Sequence, residues 1–115
     1  MSHTPSASPS GADFQRALQA FRDEFAQQVP ARVAAARARL QACCSDPAND
    51  ALLRDLHRSV HKLAGSAGTF GMTRLGDDAR AIELRIETLL AQPGQRSAAA
   101  FEALVPGVEA LAPAP

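Results

Sequence analysis

His61 opens the run His61-Lys62-Leu63-Ala64-Gly65-Ser66-Ala67-Gly68, the part of this chain best suited to chemistry. An imidazole with an ordinary pKa near 6.5 presents a neutral nitrogen at physiological pH, able to attack an electrophilic phosphorus without a separate base. On a helix at ~100° per residue, Leu52, Leu53, Leu56, Val60, Leu63, Ala67 and Phe70 gather into one apolar sector, and His61 falls roughly 140° from its centre. The histidine therefore points to solvent. Gly65 and Gly68 follow one and two turns later on nearly the same azimuth, and Ala64 adds no bulk beside them. Each glycine costs about 1 kcal/mol of helix propensity relative to alanine, so clearance for a phosphoryl group and for a partner protein is the reason to keep them. Arg54 and Arg58 precede His61 on its own face, with Lys62 one step round, and such cations pair with phosphate or dock against acidic carboxylates.

Other reactive side chains form no competing centre. His57 and His61 have the i, i+4 spacing of helical metal ligands, but the remaining histidine is His3 and the cysteines lie at another helix end, so no metal site is expected. His57 sits at the edge of the apolar sector and reads as a boundary residue packed against the next helix. Cys43 and Cys44 are adjacent, cannot bridge each other in the ordinary way, and read as reduced helix-end packing. No nucleophile triad, phosphate-binding glycine loop or pair of catalytic carboxylates can be assembled.

The elements that hold His61 are helical. The 115 residues are one domain's worth, and 46% hydrophobic content with 4% aromatics suits an Ala/Leu-rich helical core. Residues 1–10 are rich in Ser and Pro and read as a disordered tail or linker, with the folded domain at 11–112. Phe14, Leu18, Phe21, Phe25, Val29, Val33, Ala36 and Leu40 make a long apolar stripe to about Cys44, and Pro30 predicts a kink or a split near 28–30. Turn formers at 45–50 precede the His61 helix, which ends at Gly71. Leu75, Ala79, Ile82, Ile86 and Leu89 mark the next helix, with Thr73 as its N-cap. Phe101, Leu104, Val105 and Val108 mark a last short helix that Pro106 bends or ends, and the tail after Leu111 is expected to fray. No β-branched alternation suggests a strand, so the expected fold is an all-α, antiparallel up-down-up-down four-helix bundle. Zero formal net charge argues against nucleic-acid binding. Lacking a signal peptide or a stretch of ~20 apolar residues, the chain is expected to be cytoplasmic and free of membrane contact, and it is read as a monomer.

The run from His61 to Gly71, followed by Leu75, Ala79 and Glu83, closely resembles the histidine-containing phosphotransfer (HPt) domains, above all in its His-x-Leu-x-Gly-Ser core. The resemblance covers roughly residues 12–111. It implies a four-helix bundle that relays a phosphoryl group between aspartates of response-regulator receiver domains, with His61 as phosphoacceptor and Gly65 providing clearance. It also implies that the receiver brings Mg²⁺ and the catalytic acidic pocket, while this chain binds no cofactor. Many members carry lysine three residues after the histidine, where this chain has Ala64; Lys62 is the nearest replacement, displaced by ~100°. Many also place a glutamine near the histidine from the following helix, and here that position is Glu83, which could accept an imidazole hydrogen bond but would repel phosphate. A non-catalytic bundle that binds a signalling partner through the His61 face is the alternative reading, and the presence of His61 favours chemistry.

Overall fold

The computed structural model describes residues 11–114, so the expected disordered tail at 1–10 lies outside the described residues. Three long helices dominate: α1 (Gly11–Ser45), α2 (Asp50–Thr69) and α3 (Thr73–Ala91). The fourth position is filled by a single-turn 3₁₀ segment, Pro93–Gln95, and two short helices, α4 (Ala98–Glu102) and α5 (Val105–Glu109). Among the described residues there is no strand. Helix α1 packs against α2, α4 and α5, α2 against α3, and α3 against α5, which closes a four-membered ring. Short connections at 46–49 and 70–72 make successive long helices antiparallel, as expected for the bundle.

Each end of α2 is fixed locally. The Asn49 side chain accepts a hydrogen bond from the Leu52 amide at 3.2 Å, satisfying one of the free donors of the first turn. At the other end Gly71 adopts φ +71°, a conformation glycine takes without steric cost. There the Met72 amide donates to the Ala67 carbonyl at 2.8 Å and the Gly71 amide to Gly68 at 3.2 Å, a Schellman arrangement that stops the helix and turns the chain into α3. Helix α3 starts at Thr73, with Met72 at the cap position and no side-chain cap bond. The expected Thr73 cap is therefore displaced by one residue, because the Schellman turn already sets the entry of the chain.

The apolar sector foreseen on α2 is the core-facing one: Leu53, Leu56, Val60, Leu63 and Ala67 are all at most 1% exposed. They meet Leu75, Ala79, Ile82 and Ile86 of α3 and Phe25, Val29, Ala36 and Leu40 of α1 in one cluster. Small residues bring α2 and α3 close at the level of Gly76, where an added Cβ would lie 3.6 Å from Ala67 Cβ and 3.7 Å from the Ala64 carbonyl oxygen.

Three further expectations are corrected. Helix α1 runs uninterrupted through Pro30 instead of splitting. Proline there frees the Ala26 carbonyl, but Pro30 is on the exposed side while Phe25 and Val29 before it and Ala36 and Leu40 after it are buried, so packing on both flanks holds one helix. The start of the α1 stripe does not reach the core: Phe14 is 61% and Phe21 58% exposed. Thirty-five residues make a helix of about 52 Å against about 30 Å for α2, so the first turns of α1 extend past their partners. The tail after Leu111 does not fray. Leu111 is buried, and the Leu75 amide donates to the Ala114 carbonyl at 3.4 Å, which lays the tail against α3.

Arg96 ties the helix ends together. Its side chain is 4% exposed, its Nε donates to the Leu89 carbonyl at 2.8 Å, and its Nη2 donates to Leu90 at 3.2 Å and to Asp50 Oδ1 at 3.0 Å. It thus caps the last carbonyls of α3 and pins them to the first turn of α2. Both cysteines are free, and burial pushes the Cys43 thiol up to about 11, in keeping with packing rather than reactivity.

Candidate functional site

Val60 and Leu63 bury on either side of His61 along α2, and the helical phase between them turns the imidazole out, leaving its side chain 65% exposed. Its inner edge is held. Nδ1 of His61 lies 2.6 Å from Oε2 of Glu83 on α3, and Glu83 is 2% exposed. Burial pushes the Glu83 carboxyl up, but hydrogen bonds from Arg80 and His61 outweigh it and hold the group below its ordinary value. An ionised carboxylate only accepts, so Nδ1 carries the proton and donates. The lone pair of the neutral ring is then on Nε2, at the exposed edge. Nη1 of Arg80, three residues before Glu83, lies 2.9 Å from Oε1, so the buried charge is compensated on both oxygens.

His57 belongs to the same network one turn earlier. Its Nε2 is 2.9 Å from Glu87 Oε2 and 3.4 Å from Glu83 Oε2, and its ring stacks on that of His61 with centroids 5.9 Å apart and planes at 13°. The boundary position read for His57 is the one it occupies, packed against α3. His57, Glu83 and Glu87 place one ligand atom each within 4.8 Å of one another, a spacing that a divalent ion can use. In this structure His57 Nε2 is hydrogen-bonded to Glu87, while the Glu83 carboxylate is held by His61 and Arg80, which supplies positive charge. Counting only histidines and cysteines overlooked this cluster, because its acidic members come from α3.

The residues grouped around His61 in the sequence divide among three surfaces. A groove of about 580 Å³ between α2 and α3 is lined by His61, Ala64 and Gly68 together with Thr73, Gly76, Asp77, Arg80 and Glu83. Gly65 is exposed, with open space around an added Cβ. Lys62 lines a different cavity, between α1 and α2, with Arg32, Arg39 and Arg58. Arg54 and Arg58 share a third with His57 and Glu87. Both arginines are paired within the chain, Arg54 with Asp50 at 2.6 Å and Arg58 with Asp55 at 3.0 Å, so part of their charge is already met. The sequence reading missed Arg80, Gly76 and Asp77. The available signal was the helical period, since they lie three, seven and six residues before Glu83 on the same helix.

No helix among the described residues is long and apolar enough to cross a membrane. Neither a search of curated proteins nor a search of solved structures returned a match. The family model described as the Hpt domain matches residues 17–113, from within α1 to the C-terminal tail, and so takes in the whole groove and the His61–Glu83 pair. On that match, and with the all-α bundle in place, the chain belongs to the Hpt domain family, whose members carry out histidine phosphotransfer with receiver domains in phosphorelay signalling.

Proposed function

We propose that His61 is the phosphoacceptor, taking a phosphoryl group from the phosphoaspartate of one receiver domain and passing it to an aspartate of another. The observation that carries this reading is the Glu83 carboxylate at 2.6 Å from Nδ1, which fixes the tautomer and leaves Nε2 as the exposed nucleophile. In the first step the Nε2–P bond forms as the acyl phosphate P–O bond breaks, and the aspartate carboxylate leaves. The ring then carries positive charge, which Glu83 stabilises from the opposite nitrogen. The second transfer runs the same way in reverse. Ala64, Gly65 and Gly68 present no side chain that would obstruct a receiver closing over the imidazole.

Phosphoryl transfer depends chiefly on positioning and charge stabilisation, so a carrier that offers one oriented nucleophile suffices when its partner brings the rest. The receiver supplies Mg²⁺ and the acidic pocket, and this chain acts as a phosphocarrier rather than an enzyme. Incubation with a phosphorylated receiver tests the reading. Wild type is expected to gain acid-labile phosphate and His61→Gln to gain none while keeping its helicity; label persisting in His61→Gln overturns the assignment.

A further inference from the structure

We propose that Arg80 is the phosphate-binding cation of this site, bridging the buried Glu83 carboxylate and the phosphoryl group on His61. The inference rests on His61 being the phosphoacceptor and adds a residue from the opposite helix.

A phosphoryl group on Nε2 brings multiple negative charge close to Glu83, whose carboxylate already touches the other ring nitrogen. The α2 wall of the groove offers nothing to offset it, since Ala64 and Gly68 are uncharged. Lys62 lines a cavity on the α1 side of α2, and Arg54 and Arg58, which line the cavity beside His57 and Glu87, are paired with Asp50 and Asp55 and do not line the His61 groove. Arg80 is the cation among the residues lining the His61 groove, and its side chain is 54% exposed. Among the described residues only Nη1 is engaged, at 2.9 Å from Glu83 Oε1 and 3.9 Å from Glu87 Oε2. A guanidinium has five N–H donors in a rigid fork, so Nε and Nη2 can reach phosphoryl oxygens while Nη1 keeps the carboxylate. Asp77, the remaining carboxylate of the groove wall, is exposed and screened by solvent. One arginine thereby serves two anions, stabilising Glu83 before transfer and the phosphoryl group after it.

Phosphoramidate tests this without a receiver: Nε2 attacks its phosphorus, the P–N bond to the amino group breaks, and ammonia leaves with the needed proton. Phosphorus NMR then follows the titration of the phosphohistidine and its hydrolysis. Arg80→Gln is expected to accept phosphate at His61, to titrate its phosphoryl group at higher pH than wild type, and to lose the label several-fold faster, with Arg80→Lys intermediate. The same comparison in a Glu83→Gln background separates direct contact from an effect through the carboxylate. There, Arg80→Gln should still raise the phosphoryl titration. A titration unchanged by Arg80→Gln in that background overturns the proposal while leaving His61 as phosphoacceptor. Failure of wild type to gain phosphate that His61→Gln lacks overturns the His61 reading itself.

Discussion

The rings of His57 and His61 stack one helical turn apart, 5.9 Å between centroids, and both face the single buried carboxylate of Glu83. The two imidazoles are nonetheless unequal. Nε2 of His57 is held by Glu87 at 2.9 Å and its side chain is 25% exposed, whereas the Nε2 edge of the 65% exposed His61 faces solvent. His57→Gln should therefore keep phosphate uptake within about threefold of wild type, a shift below roughly 1 kcal/mol. Loss of labelling in that variant, measured with a phosphorylated receiver, would transfer the acceptor role to His57.

Glu83 makes stability depend on pH in a definite direction. Its folded-state carboxyl lies below the ordinary value of 4.5, despite the opposing effect of burial, because Arg80 and His61 bond the ionised form. The stabilisation is therefore complete above that ordinary value and is lost as pH falls through the lower folded value. Asp50 and Asp55 are also held low, by Arg54 and Arg96 and by Arg58, and contribute in the same direction. Urea melts of wild type and Glu83→Gln isolate the Glu83 part. The wild-type midpoint should fall more steeply than that of the variant as pH drops below the ordinary carboxylate range; parallel curves would show that Glu83 titrates alike in folded and unfolded chains.

Phenylalanines of one stripe should behave differently. Phe25 is 3% exposed and packs on Phe70 with ring centroids 5.3 Å apart, so Phe25→Ala should cost about 3–5 kcal/mol. Phe14→Ala and Phe21→Ala should change stability by no more than about 0.5 kcal/mol. Denaturant unfolding measures all three, and a large loss at Phe14 would mean that the first turns of α1 have a partner in solution.

Arg58 is 62% exposed beside Asp55 and lines the cavity that also holds His57, one turn before His61, where receiver carboxylates would meet it. Arg58→Glu should slow association with a phosphorylated receiver, and the defect should shrink as salt screens the charges. Exposed pairs of this kind are worth up to about 1 kcal/mol, so a several-fold effect is expected at low ionic strength. Stopped-flow mixing across a salt series checks it; equal rates for both proteins at low salt would leave Arg58 as solvated surface.

Helical periodicity in the sequence determined the bundle class, the buried sector of α2 and the outward direction of His61, because those follow from the angle between residues on one helix. It also left room beside His61, through Gly65 and Gly68. What periodicity along one helix cannot carry is which residue of another helix stands opposite. Docking of α3 against α2 turned Glu83 from a residue that could be solvated into a buried acceptor and brought Arg80 into the groove, whereas the place of Lys62 on the α1 side follows from its ~100° step from His61 along α2 itself. Likewise Pro30 forecasts a break from local backbone chemistry, yet burial on both flanks keeps α1 whole, and the overhang of Phe14 and Phe21 depends on how far the partner helices reach. Local geometry turned His61 outward; the packing of α3 on α2 set the hydrogen bond at its Nδ1 and its surrounding charge.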